Sequence, residues 1–287
     1  MQAQPEQGCN TMHAGSIVEN KVGRLAGELL AALDHAELVE LPSARPGGLT
    51  LEEAYAVAQR AAALRLARGE RAIGWKIGFT NRSIWDRYGV HAPIWGPVWD
   101  TTTELLDGTE ATLSLAGLSQ PRIEPEVVFG FASAPAAGMS LTELRGCLAW
   151  VAHGFEVVHT HYADWRFTLP DTVADFALHG RLRIGPLRPV HDWPTLAEDL
   201  AALRVDLLCD GAVRDSGVGS IVLDGPLHAV RQWIDAMAST SPAWRVAAGE
   251  FVTTGTITDA WPMKAGQHWQ TRLSDARLAP LELHTVD

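Results

Sequence analysis

The sequence predicts an α+β fold, a mixed β-roll or barrel-like core carrying an N-terminal helical cap. Three observations lead there. Two capping-box patterns, "SIVE" at Ser16 and "TLEE" at Thr50, open helix-periodic stretches early in the chain. From Ala72 onward the texture changes to short apolar runs bounded by Gly, Pro, Asp or Asn, the signature of strands. Those strands do not alternate strictly with helices, and no G-x-G-x-x-G follows one, so a doubly wound parallel sheet is excluded.

Residues 1–15 are polar and aperiodic and read as a disordered tail. Residues 16–71 form the cap. Its first helix has Ser16 as N-cap and Val18, Val22, Leu25, Leu29 and Leu33 on one face; the second, Ala-rich, stops at Gly69. Residues 72–287 form the β-rich domain that carries the chemistry. "AIGWKIGF", "IEPEVVFGF", "RLRIG", "LRVDLLCDG", "EFVTTGTIT" and "HWQTRL" are its strands. Two helices are interposed. One is "SLTELRGCLAWVAHGF"; the other, "PLHAVRQWIDAMAS", has Pro226 at N1 and Leu227, Val230, Ile234 and Met237 on one face. "CDGAV" is turn-like, and "DSGVGS" reads as a hairpin turn near substrate; no lysine follows it, so it is not a P-loop.

Composition narrows the function. The chain has 287 residues, is 47% hydrophobic and 20% charged, and carries a net charge of −11. Its pI of about 5.4 argues against nucleic acid or an anionic membrane as partner, and an anionic substrate would need a local cation. There is no basic, then apolar, leader, and no apolar run near the roughly 20 residues of a membrane span. Cys9, Cys147 and Cys209 lie far apart in no metal-type spacing. A soluble cytoplasmic protein is expected. Eleven tryptophans, with Trp75, Trp85, Trp95 and Trp99 close together, suggest an aromatic-walled pocket, a subunit contact or core filler.

The chemistry centres on "RIEPEVVFGF". Glu124 and Glu126, at i and i+2 of a strand, face the same side, with Pro125 pointing away. Two such carboxylates disfavour joint ionisation unless a cation lies between them. Either they hold a hard divalent ion or they lie on an exposed strand edge. Glu156, a lone acid among Phe155, Val157 and Val158 at a helix end or strand start, needs a partner if buried, and a metal shared with the pair supplies one. Lys76, flanked by Gly74, Ile77 and Gly78, is a buried proton-transfer or ion-pairing group, or a snorkelling lysine at a strand end. His159 and His161 are ligands, acid–base groups or supporting residues. Asp164 and Arg166 orient the site or pair with each other, and Asp175 is structural. Arg122 either reaches a distal substrate carboxylate or neutralises Glu124. No G-x-S-x-G or other nucleophile constellation is present.

In order, "GWKIGFT", "GVHAPIWG", "PRIEPEVVF", "FEVVHTHYADW", "DTVADF" and "TTGTIT" resemble the hydratase/decarboxylase branch of the fumarylacetoacetate hydrolase superfamily. The similarity runs from about Leu25 to the C-terminus. The resemblance implies that fold, and Mg²⁺ or Mn²⁺ held by Glu124, Glu126 and Glu156. It also implies Lys76, and secondarily Asp164, as catalytic residues. Arg122, Trp95, Phe176, Leu178 and Thr256 are the expected substrate contacts. The implied activity is hydration of a 2-hydroxy-2,4-dienoate to a 4-hydroxy-2-oxo acid in aromatic meta-cleavage catabolism, with a 4-oxalocrotonate-type decarboxylase on the same metal site as the alternative. An acylpyruvate C–C hydrolase needs a His–Glu pair that the N-terminal third lacks, and the intact glutamate set argues against a non-catalytic partner subunit. A homo-oligomer, and association with a pathway partner enzyme, are further implications. Where relatives read A-D-N-A-S this chain reads "ADFAL", and Trp85 stands where Gln is common. The resulting expectation is a more apolar substrate tail contacted by Phe176 and Leu178.

Overall fold

The computed structural model describes residues 9–88, 90, 92–241 and 243–287. The chain opens with α1 (Cys9–His35), α2 (Leu51–Ala67), β1 (Ala72–Gly78), α3 (Trp85–Tyr88), β2 (Ile94–Trp99), β3 (Thr103–Leu105) and β4 (Glu110–Ser114). It continues with β5 (Arg122–Phe131), α4 (Leu141–Gly146), β6 (Leu148–Val158), α5 (Leu169–Ala174), β7 (His179–Ile184), β8 (Arg188–Pro189) and α6 (Leu196–Ala202). It closes with β9 (Arg204–Cys209), β10 (Ala212–Val218), α7 (Pro226–Thr240), β11 (Phe251–Thr256), β12 (Trp261–Pro262), β13 (His268–Leu273) and β14 (Glu282–Val286).

Among the described residues two mixed sheets form. The larger runs β2-β1-β11-β5-β6-β7-β3, with β12 on β5 and β8 on β6; the smaller runs β10-β9-β13-β14-β4. The smaller sheet covers part of the larger, Leu113, Leu207, Trp269 and Leu283 closing over Ile123, Phe155 and Val157. Elsewhere the helices do the covering. α1, α2 and α7 bury Leu25, Leu29, Val57, Ala61, Val230 and Trp233 in one cluster with Ile77, Val127, Phe129 and Val252. The predicted stripe of α7 is buried throughout. The Thr50 capping box is present, with Glu53 reaching back to the Thr50 N–H.

Several boundaries differ from expectation. α1 starts at Cys9, so Ser16 lies inside the helix and not at its N-cap; residues 1–8 of the anticipated tail lie outside the described residues. Nothing from Cys9 to Ser16 is a strong breaker, Gly15 costing only about 1 kcal/mol against alanine. The helix expected over residues 140–155 is a real Ser140 capping box that ends at Gly146, followed by a buried strand, β6. A continuous apolar run reads alike as buried strand or buried helix, and two flanking strands decide for strand here. "CDGAV" is the β9–β10 turn, with Asp210 and Gly211 both at positive φ. "DSGVGS", in contrast, is mostly strand β10 and then a short 3₁₀ turn. The tryptophan group is core: Trp75 packs on Trp233 and Trp244, Trp95 on Tyr55, and Trp99 under the Arg65 guanidinium.

Candidate active site

Glu124, Glu126 and Glu156 meet because β5 and β6 pair in a register that sets Glu124 directly opposite Glu156. Glu126 stands opposite Gly154. A side chain at Gly154 would press on Val128 and on the Arg183 carbonyl, both 3.0 Å from a Cβ placed there. One carboxylate oxygen from each glutamate lies within 4.8 Å of the other two. The next strand supplies the donors that hold Glu126: its Oε2 accepts from the Thr253 hydroxyl and from the Gly255 N–H at 2.7 Å. Gly255 is at φ +102°, and a Cβ there would collide with the Thr80 side chain, so this donor requires glycine.

Lys76 comes from β1 and is 3% exposed. Its Nζ donates to the Ala177 carbonyl at 3.0 Å and faces Glu156 Oε2 at 3.4 Å. The other Glu156 oxygen accepts from His179 Nδ1–H at 2.8 Å, and the His179 Nε2 meets the Thr102 hydroxyl at 2.9 Å.

The charges follow from this packing. Burial works against the Lys76 ammonium, but Glu156, Glu124 and Glu126 together outweigh it and hold the ammonium above its usual range. Burial pushes Glu124 up to about 7, against the pull of Lys76 and with the push of Glu156. Glu126 is driven well above the carboxylate range by burial, then by Glu156 and Glu124. Glu156 goes the other way: burial opposes its charge, yet Lys76 and the His179 hydrogen bond keep it ionised.

Two oxygens of the trio, Glu126 Oε1 and Glu156 Oε2, are buried and accept no hydrogen bond, the second having only the Lys76 ammonium at 3.4 Å beside it. Carboxylate oxygens converging from three residues, two of them with unmet lone pairs, are what an oxygen-preferring divalent cation satisfies, so the donor set fits such an ion.

A cavity of about 200 Å³ opens at Lys76 and Glu124, while Glu126 and Glu156 are fully buried and do not line it. Of the residues singled out from sequence, Lys76, Glu124, Arg122, Thr256 and Leu178 line it, joined by Phe79, Ile94, Phe167, Asn81 and Thr258. Arg122 stacks on Trp165, its guanidinium carbon 4.1 Å from the ring centre. Two of the expected substrate contacts, Trp95 and Phe176, and the expected secondary catalytic residue Asp164 lie elsewhere. Trp95 points into the core against Tyr55. Phe176 lines a separate small crevice with Ala58, Pro97 and Val173, because residues 176–178 all take positive φ and turn it away. Asp164 is exposed, and its neighbour Trp165 reaches the cavity instead.

His159 and His161 are buried outside the cavity lining, with rings 4.8 Å apart. His161 pairs with Asp175 at 2.5 Å, and Asp175 also accepts from the His161 N–H and the Thr160 hydroxyl. Asp175 is thus structural: its carbonyl accepts from the Leu178 N–H and fixes the turn that presents Ala177 to Lys76. His179, Thr253, Gly255 and the Ala177 carbonyl were not singled out from sequence. His179 alone left a signal, an isolated histidine beside the altered "ADFAL" stretch.

No family model matches the chain. It is 35% identical over 224 residues to a 2-hydroxyhexa-2,4-dienoate hydratase of Comamonas testosteroni, covering 77% of this chain and 81% of that one. It is 27% identical over 218 residues to a 4-oxalocrotonate decarboxylase of a Pseudomonas species, covering 76% and 81%. In fold it matches the 4-oxalocrotonate decarboxylase from Pseudomonas putida G7, solved with magnesium and adipate. That match has a TM-score of 0.85 and 24% identity, and spans 93% of this chain and 98% of that one. The chain belongs to the hydratase/decarboxylase branch of the fumarylacetoacetate hydrolase superfamily. Its members in these comparisons are enzymes, and so is this protein.

Proposed function

We propose that the protein is a divalent-metal-dependent hydratase that adds water to a 2-hydroxy-2,4-dienoate, giving a 4-hydroxy-2-oxo acid in meta-cleavage catabolism of aromatic compounds. The reading is carried by one observation: a buried, charged lysine beside three converging carboxylates, with Lys76 and Glu124 lining a mainly apolar cavity. Glu124, Glu126 and Glu156 would hold Mg²⁺ or Mn²⁺, the choice suited to an all-oxygen set. Bound there, the ion supplies Lewis-acid polarisation of the carboxylate and 2-oxo end of the substrate. Lys76 Nζ is the proton carrier. The Ala177 carbonyl and Glu156 aim it, and it delivers a proton to the conjugated chain as the dienol ketonises, regaining one from the enol hydroxyl. Thr256, Thr258 and Asn81 offer polar groups to a water molecule, while Phe79, Ile94, Phe167 and Leu178 exclude bulk solvent around the hydrocarbon tail. Sequence similarity to the dienoate hydratase supports this reading.

A second reading, a 4-oxalocrotonate-type decarboxylase on the same site, is favoured by Arg122. Its guanidinium lines the cavity and suits the distal carboxylate of a dicarboxylate. The test is ultraviolet loss of 2-hydroxypenta-2,4-dienoate and of 2-hydroxymuconate, each with Mg²⁺ and with EDTA, with CO₂ monitored. Metal-dependent loss of the dienoate without CO₂ is expected. CO₂ released from the dicarboxylate would move the assignment to the decarboxylase.

A further inference from the structure

The outer face of the smaller sheet carries a second group of metal-ligating side chains, remote in chemistry from the three glutamates. His268 on β13 pairs directly with His284 on β14. Glu282 lies two residues before His284 and so shares its face, and Glu110 on β4 lies opposite Glu282. The alternate residues Trp269, Leu283 and Ala111 are buried, which turns the histidines and glutamates outward. The two imidazoles stack with centroids 4.1 Å apart and planes 9° from parallel. His268 Nε2 lies 2.8 Å from Glu282 Oε2, and His284 Nε2 lies 3.1 Å from Glu110 Oε1. Ligand atoms of His268, Glu282 and His284 all fall within 4.8 Å of one another.

Cross-strand partners stand about 5 Å apart at Cβ, so small side-chain rotations bring two ring nitrogens and one or two carboxylate oxygens onto one centre. The strands are already fixed by their ladder, and ligation costs little backbone ordering. Imidazole nitrogen distinguishes this group from the all-oxygen trio: Zn²⁺ and its transition-metal neighbours prefer nitrogen with carboxylate, whereas Mg²⁺ prefers oxygen and water.

We propose that His268, His284 and Glu282, with Glu110 as a fourth donor, form a surface site for a zinc-class divalent ion. An ion there ties β13, β14 and β4 together and anchors the last strand of the chain. The site is independent of the assignment of the reaction, and the two donor sets sort ions by their chemistry.

The test uses the full chain, stripped of metal and then saturated with Mg²⁺, titrated calorimetrically with Zn²⁺ beside His268→Gln, His284→Gln, Glu282→Gln and Glu126→Gln variants. Expected is one zinc site per wild-type chain, kept in Glu126→Gln and weakened by about tenfold or more in either histidine variant. Glu282→Gln, which leaves both rings, gives a smaller loss. Zinc should also raise the Tm of the wild type by more than that of either histidine variant. Equal zinc affinity and equal Tm shift in wild type and histidine variants would overturn the proposal. So would loss of the site in Glu126→Gln, or no zinc binding by the wild type.

Discussion

At the scale of single residues, the site balances one buried cation against three carboxylates. Lys76→Met removes the proton carrier and should lower turnover by ~10²-fold or more, while calorimetry still finds the divalent ion. Unchanged turnover would remove Lys76 from the reaction. The same change leaves Glu156 without its ammonium, so the metal-free variant should lose about 3 kcal/mol or more of stability, recovered on adding metal. Glu126→Gln tests the trio separately. The Thr253 and Gly255 donors to Glu126 Oε2 can still be met by an amide oxygen, so folding survives while affinity for the catalytic ion falls by about tenfold or more. The E-x-E spacing and the lone Glu156 made these residues legible in sequence, because unpaired charge in an apolar strand is costly enough to demand a reason. Gly255 and Ala177 were not legible, since each contributes a backbone group and any motif names only side chains.

At the scale of elements, the turn over residues 176–178 governs the cavity wall. Phe176, Ala177 and Leu178 have φ of 56°, 52° and 65°, a left-handed conformation costing about 1–2 kcal/mol per non-glycine residue. Ala177→Gly, which keeps the carbonyl that Lys76 bonds, should raise stability by about 1 kcal/mol, read as an increased Tm. Phe176→Asn should instead lower the Tm, because Phe176 is buried in the main core cluster and the lost packing outweighs the relief of its positive φ, and it should leave substrate preference unchanged. Leu178→Ser should alter that preference, because Leu178 and not Phe176 borders the cavity. The expected Phe176 contact failed for a reason of backbone geometry: three successive positive φ values redirect the side chain, and a phenylalanine-containing stretch announces none of them. The α4–β6 boundary failed differently. The apolar run after Gly146 carries no periodicity that separates helix from strand, and its pairing with β5 and β7 supplied what local sequence lacked.

At the scale of the whole molecule, stability is set by groups titrating in opposite directions. Burial depresses His153 to about 4, the Glu126 carbonyl opposing, and His159 to about 3, His161 adding to the effect. Both are neutral in the fold but bind protons near pH 6.5 once unfolded. Their stabilisation is complete above that pH and is lost as pH falls toward 4 and 3. For His153 it amounts to about 3 kcal/mol, so Tm should drop steeply below pH 6.5, and less steeply in His153→Gln. Glu124 has the reverse sign. Its folded value is raised to about 7, so its contribution is present below its unfolded value and is lost as pH rises toward 7. Ion binding must displace that proton; affinity for Mg²⁺ should therefore rise with pH through about 7, with proton release measurable by calorimetry in two buffers. An affinity flat with pH would mean Glu124 is already ionised.

The sequence by itself determined the helical cap, most of the strands, the superfamily, and the residues whose chemistry is intolerable without a partner: Lys76, Glu124, Glu126 and Glu156. The superfamily follows from the resemblance its ordered motifs carry; the rest follow from local periodicity and from the cost of burying charge, both readable along one chain. Only the tertiary structure decided which of the anticipated contacts face the cavity, that His179 holds Glu156 in place, that β6 is a strand, and that two histidines and two glutamates from three strands share one outer face. Each of these depends on register and on the sign of φ, and both are fixed between segments distant in sequence.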